Sequence, residues 1–105
     1  MQTYKVILSD FAKSDLHIIV TYLSSVENIA VAKHVEHGIL SEMKRLTHFP
    51  EAYPKNEHAT TKTHTVRFII KWKYKILYYI ETNTVYIIGI FHTSQSPGKL
   101  KNYNL

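Results

Sequence analysis

Four cations, Arg67, Lys71, Lys73 and Lys75, crowd into one short stretch of the chain, and His92 follows in the next. Together these residue types can move a proton and hold negative charge. Arginine stays charged and serves only as an electrostatic clamp. Lysine becomes a base only where its pKa is depressed, which clustered positive charge does. Histidine, with an ordinary pKa of about 6.5, works as acid or base near neutrality. The plainer reading of the same residues is a solvated row of strand lysines and a strand-end histidine bonded to a loop. Trp72 stands among the cations, and Tyr74, Tyr78, Tyr79 and Tyr86 follow it. Aromatic faces beside cations are how single-stranded RNA is often held. Trp72, placed at a turn, is expected to be exposed, while Tyr74 and Tyr78 are expected to pack inward. Lys71, Trp72 and Tyr103 are the expected contacts to a nucleic acid or another target. His34 and His37 lie one helical turn apart, but no third ligand accompanies them, so no metal site and no cofactor are expected.

These side chains need a frame. Tyr4 to Leu8 reads as a short strand. Ser9 can cap the helix that follows, and Asp10 suits its positive end. Ala12, Leu16, Ile19 and Leu23 form one apolar stripe at helical spacing. Ser24-Ser25-Val26-Glu27-Asn28 is expected to break that helix. A second helix runs from about Ile29 to Leu46 with the stripe Ala32, Val35, Ile39, Met43 and Leu46, and contains Gly38 at a cost of about 1 kcal/mol relative to alanine. A short link favours an antiparallel helical hairpin. Residues 47–65 form a polar connection with Pro50 and Pro54, long enough to suggest a functional loop. Three strands follow, at 66–71, 74–80 and 85–91, with a turn near Trp72 and another at residues 81–84. Arg67 and Lys75 therefore fall on neighbouring strands and can still converge. Along the middle strand Tyr74, Ile76, Tyr78 and Ile80 share a face able to receive the hairpin. The order is α+β: an N-terminal strand, an antiparallel helical hairpin and a three-stranded antiparallel meander, with helices on one face of the sheet.

The chain has 105 residues, enough for one domain. That domain is expected to span residues 1–97, with a polar tail over 98–105. The absence of cysteine excludes disulfides, thiolate nucleophiles and cysteine zinc sites. The opening apolar run is short and soon interrupted by Asp10, Lys13 and Asp15, so neither a signal peptide nor a membrane span is expected, and the cytoplasm is the expected location. Charge is uneven. In residues 1–50 five cations balance five acids, whereas in 51–105 eight cations face three acids. Such asymmetry points to an acidic partner, nucleic acid or protein, or to an ordinary basic surface.

Over residues 4–97 the chain resembles the RelE/ParE toxins, and the ParE branch more than the RelE branch. The resemblance rests on the order and spacing of Val6-Ile7-Leu8-Ser9 with Ala12, Asp15-Leu16 with Ile19 and Tyr22, Ala32, Leu46 with Pro50 and Tyr53-Pro54, Arg67, Tyr74-Lys75-Ile76-Leu77-Tyr78, and Ile88 with His92 and Pro97. It implies the toxin of a type II toxin–antitoxin system, neutralised by a cognate antitoxin, forming an oligomer with it, and touching operator DNA only through that complex. On the ParE side it implies a DNA gyrase poison without chemistry of its own. On the RelE side it implies a ribosome-dependent mRNA endonuclease, in which the 2′-hydroxyl of the substrate attacks while Arg67, Lys73, Lys75 and His92 supply base, clamp and acid. A third outcome is an attenuated toxin acting with its antitoxin as a co-repressor. The family often has arginine where Lys75 stands, glycine where Trp72 stands, and one or two arginines just after the histidine. Here Thr93-Ser94-Gln95-Ser96 takes the last place.

Overall fold

A computed structural model describes residues 3–94, so Pro97, Tyr103 and the 98–105 tail lie outside the described residues. Strand β1, Lys5–Leu8, leads directly into helix α1, Asp10–Val26. Ser9 joins them in two ways. Its hydroxyl oxygen accepts from the Ala12 amide at 3.0 Å and donates to the Ile88 carbonyl at 3.3 Å. The first bond satisfies one of the free amides of a helix start, and the second ties that start to the sheet. Helix α2, Ile29–Lys44, begins on Asn28, whose side chain accepts from the Val31 amide at 2.9 Å. The break expected at Ser24 therefore falls later. Serine costs a helix only tenths of a kcal/mol, so α1 continues until Asn28 has to cap its successor. After α2 comes a 3-10 turn, Arg45–Thr47, that buries Leu46 completely.

Strands β2 (Arg67–Lys71), β3 (Tyr74–Glu81) and β4 (Thr84–His92) form an antiparallel meander. β1 joins it alongside β4 in parallel, giving the order β1-β4-β3-β2. The helical hairpin thus carries the chain from β1 at one edge of the sheet toward β2 at the other, and the meander then brings β4 back beside β1. It covers one sheet face, where Ala12, Ile39, Met43 and Leu46 meet Ile69, Ile76, Tyr78, Val85, Ile87 and Ile90. Ile87 and Ile90 both face inward although three residues apart, because Leu77 pairs with Gly89 and Tyr78 with Ile87, leaving Ile88 as a bulge. Asp15 of α1 steadies this irregularity: its carboxylate accepts from the Ile90 amide at 2.9 Å.

The opposite face is covered too. Val66, Leu77, Ile88 and Phe91 pack under Ala59 of the long connection. That connection folds around buried Asn56, whose amide donates to the Val66 carbonyl at 2.7 Å and whose side chain accepts from the Ala59 amide at 3.1 Å. Much of the length that suggested a functional loop is therefore a cover for the second sheet face.

Candidate functional site

The meander separates the cations that the sequence places close together. Arg67 opens β2, pairs with Tyr78, and donates from its guanidinium to the Tyr53 carbonyl at 2.7 Å. It lines a polar depression with Glu51, Thr63, His64 and Thr65. His64 is itself engaged, with Nε2 at 3.3 Å from Glu81, Nδ1 at 3.0 Å from the Thr63 hydroxyl, and its ring edge-on to Tyr79 at 4.3 Å. Lys75 pairs with Ile70, and its ammonium lies 4.6 Å from the centre of the Phe68 ring. Phe68 belongs to the loop-covered face, so Lys75 reaches toward that side. Lys73 occupies the exposed two-residue turn between β2 and β3.

His92 ends β4 opposite Tyr74, with its ring edge-on to that tyrosine at 5.6 Å and Nδ1 2.7 Å from the Ser94 hydroxyl. The Thr93 amide donates to the Lys73 carbonyl at 2.7 Å, which brings the Lys73 and His92 segments together. Arg67 does not join them. Tyr78, its partner, is four residues along β3 from Tyr74, roughly 13 Å at strand rise. The proposed set of four is thus divided among one end of the sheet, the other end and the loop-covered face.

Lys71 and Trp72 turn toward α2. The Lys71 ammonium stands 3.8 Å from Glu42 and 4.6 Å from the Trp72 ring centre. The Trp72 ring also lies 5.2 Å from that of His34. Gly38 gives the indole its seat: a Cβ there would stand 2.2 Å and 2.4 Å from two of its ring carbons. The glycine that looks unfavourable within a helix is the space into which the β2–β3 turn leans. Trp72 remains 47% exposed. Among the described residues no group of three or more His, Asp or Glu could hold a metal ion. Likewise, no helix there is long and apolar enough to cross a membrane.

One surface escaped the reading of residue spacing. From Leu16 to Val26 helix α1 carries no Asp, Glu, Lys or Arg. Ile18, Tyr22 and Val26, together with Ile29 at the start of α2, each leave more than half of their surface in solvent. His17, Ile18, Thr21, Tyr22 and Ser25 line a shallow depression there. A solvated helix face normally carries charge, so an uncharged exposed face of this size is a candidate surface for a partner. The signal was available as a second stripe, Phe11, Ile18, Tyr22 and Val26, beside the one that fills the core. Tyr22 also lies near the Lys73–His92 end of the sheet. The Tyr74 hydroxyl has its pKa raised, first by burial and then by Tyr22.

Residues 6–97 match the family described as the ParE toxin of the type II toxin–antitoxin system parDE. The chain belongs to the ParE toxin family. It is thus the toxin component of a type II toxin–antitoxin system. Two solved structures share its fold. A chain of the chromosomal ParDE system of P. aeruginosa aligns with a TM-score of 0.70 at 12% identity, covering 88% of this chain and 98% of that one. A chain of the RelBE2 toxin–antitoxin complex of Mycobacterium tuberculosis aligns with a TM-score of 0.58 at 19% identity, covering 90% of this chain and 97% of that one. At these identities the likeness is one of fold. No curated protein sequence matches the chain.

Within this ParE-family chain the residue at the β2–β3 turn has a physical consequence. Trp72 has φ of 54°, in the left-handed region that glycine enters freely. A bulky side chain pays about 1–2 kcal/mol for it, and the packing on Gly38, His34 and Lys71 offsets that cost. Gly38→Ala is expected to leave thermal stability within about 1 kcal/mol, because helix propensity gained offsets indole packing lost. Trp72 is the only tryptophan, so its fluorescence reports the displacement directly. A red-shifted emission with the melting temperature moved by no more than about 8 °C is the expected result, and an unshifted emission contradicts the seat.

Proposed function

We propose that this ParE-family toxin arrests growth in the cytoplasm by binding DNA gyrase, without chemistry of its own, and that a cognate antitoxin neutralises it. The observation that carries the reading is the separation of the cations. Arg67 is committed to the Tyr53 carbonyl at one end of the sheet, and the segments that carry Lys73 and His92 meet at the other. A phosphoryl-transfer site needs its clamp and its acid–base pair around one phosphorus. The uncharged face of α1 gives a binding toxin an apolar surface on which to hold its target. Operator DNA is contacted through the antitoxin complex.

A second reading, the ribosome-dependent endonuclease, draws support from the proximity of the Lys73 and His92 segments. One pair of substitutions separates the two. Lys73→Ala combined with His92→Ala is expected to leave growth arrest intact, with relaxed plasmid DNA and intact translated mRNA in the arrested cells. Codon-phased mRNA cuts that disappear in this double variant would replace gyrase with mRNA as the target.

A further inference from the structure

The cations at the β2–β3 turn are short of acids. Lys73 sits at its exposed tip and Lys75 follows on β3. Neither has a carboxylate within ion-pair distance among the described residues. Glu42 of α2 is shared, standing 3.8 Å from Lys71 and 3.6 Å from Arg45. The aromatic rings nearby are already engaged. Trp72 packs against Gly38, His34 and Lys71, Tyr78 is completely buried, and Tyr79 and Tyr86 stack on each other at 5.2 Å. A single strand held by stacking needs open rings. The two arginines of the chain are committed as well, Arg45 to Glu42 and Arg67 to the Tyr53 carbonyl. The bare part of this surface thus offers lysine, a flexible point charge, and not the planar fork that fits a carboxylate. It also adjoins α1. Tyr22 stands near Tyr74, the Tyr74 ring meets His92 edge-on, and the Thr93 amide holds the Lys73 carbonyl. The uncharged face of α1 passes directly into a basic one.

We infer that the β2–β3 turn is a contact surface for the phosphate backbone of duplex DNA, made by the toxin itself through Lys71, Lys73 and Lys75. The contact goes beyond the operator binding that passes through the antitoxin complex, and it does not depend on which protein the α1 face holds. Duplex DNA carries one charge for about every 1.7 Å of its axis, and each phosphate neutralised releases condensed counterions. Lysines grouped on one turn meet such phosphates without a fixed geometry. Contacts of this kind carry no sequence information. A partner that itself carries DNA is then held at two adjoining places, its protein at α1 and its DNA at the turn. Loss of one lysine leaves the others in place, in keeping with the growth arrest expected to survive Lys73→Ala with His92→Ala.

The test titrates the full-length toxin into labelled duplexes of two unrelated sequences and follows fluorescence anisotropy as salt is raised. About three phosphate contacts give a slope of about −2.7 in log affinity against log salt, so binding should fall roughly fortyfold between about 50 mM and about 200 mM salt. The two sequences should bind alike. Lys73→Gln combined with Lys75→Gln removes two contacts, and the same rise in salt should then weaken binding only about three- to fourfold. Lys5→Gln combined with Lys13→Gln removes equal charge from exposed positions elsewhere and should keep the wild-type slope. Melting curves confirm that both variants are folded, and the wild-type slope is a readout that needs no variant. A control pair that flattens the slope as much as the turn pair makes the attraction a matter of net charge and overturns the inference. So does a wild-type toxin that leaves duplex DNA unbound at the lowest salt. Tighter binding to a single strand of equal length assigns the turn to single-stranded nucleic acid, and tighter binding to polyglutamate assigns it to an acidic protein; either outcome also overturns the inference.

Discussion

Tyr78→Ala is expected to remove a large share of the toxin's stability and to lower its melting temperature by more than about 10 °C. Tyr78 is completely buried on the helix face of the sheet, between Ile76 and the paired Ile87. Truncating a buried aromatic to alanine costs about 3–5 kcal/mol, against a total of about 5–15 kcal/mol for a whole domain. Its hydroxyl donates to the Pro50 carbonyl at 2.5 Å, so the side chain also pins the 3-10 turn at Pro50–Ala52 to the sheet. Tyr78→Phe isolates that second role. It keeps the ring and strands the carbonyl, for an expected loss of about 1–3 kcal/mol.

The same hydroxyl makes stability depend on alkaline pH. Burial raises the Tyr78 pKa well above its ordinary value, Arg67 opposes the shift and Tyr53 adds to it. An unfolded tyrosine ionises at about pH 10, while the folded one holds its proton to higher pH. The contribution is therefore fully present below about pH 10 and falls as pH rises through the interval up to the folded pKa. Tyr74 and Tyr79 are shifted in the same direction, each first by burial. Melting temperatures taken from about pH 8 to about pH 11 should fall steeply at the alkaline end for the wild type and less steeply for Tyr78→Phe. Parallel profiles for the two proteins would remove Tyr78 from the account.

The second large effect is expected at the α1 surface, and on toxicity instead of folding. Ile18→Glu and Tyr22→Ala change exposed positions, where substitutions alter stability by only about 0.5 kcal/mol. Placed at the centre of an apolar interface, such changes cost about 2 kcal/mol or more. That corresponds to roughly thirtyfold weaker binding. Each variant should therefore melt like the wild type and fail to arrest growth or retain gyrase in a pull-down. Phe49→Asn serves as control. Phe49 is equally exposed and lies between the two 3-10 turns, with φ of 55°, a conformation that asparagine tolerates. If the control loses toxicity as readily as the α1 variants, the effect is not specific to that face. If the α1 variants remain fully toxic, the face has another use.

Features built from neighbours in the chain are legible in the sequence. Ser9 before an apolar period announced α1. The alternation of Tyr74, Ile76, Tyr78 and Ile80 correctly identified the strand face that meets the hairpin. The strand–hairpin–meander order led to the α+β fold, because periods of two and of 3.6 are local properties of the backbone. Placement across the sheet was decided by tertiary structure alone. Spacing puts Arg67 and Lys75 close in sequence but cannot say that one binds the Tyr53 carbonyl while the other lies over Phe68. Gly38 reads as a flaw in a helix until Trp72 is seen resting against it. The bulge at Ile88 lies beside a bond from the Ile90 amide to the carboxylate of Asp15, 75 residues away in the chain. Each of these turns on two segments meeting in one register, and no period within a single segment encodes where another segment will lie.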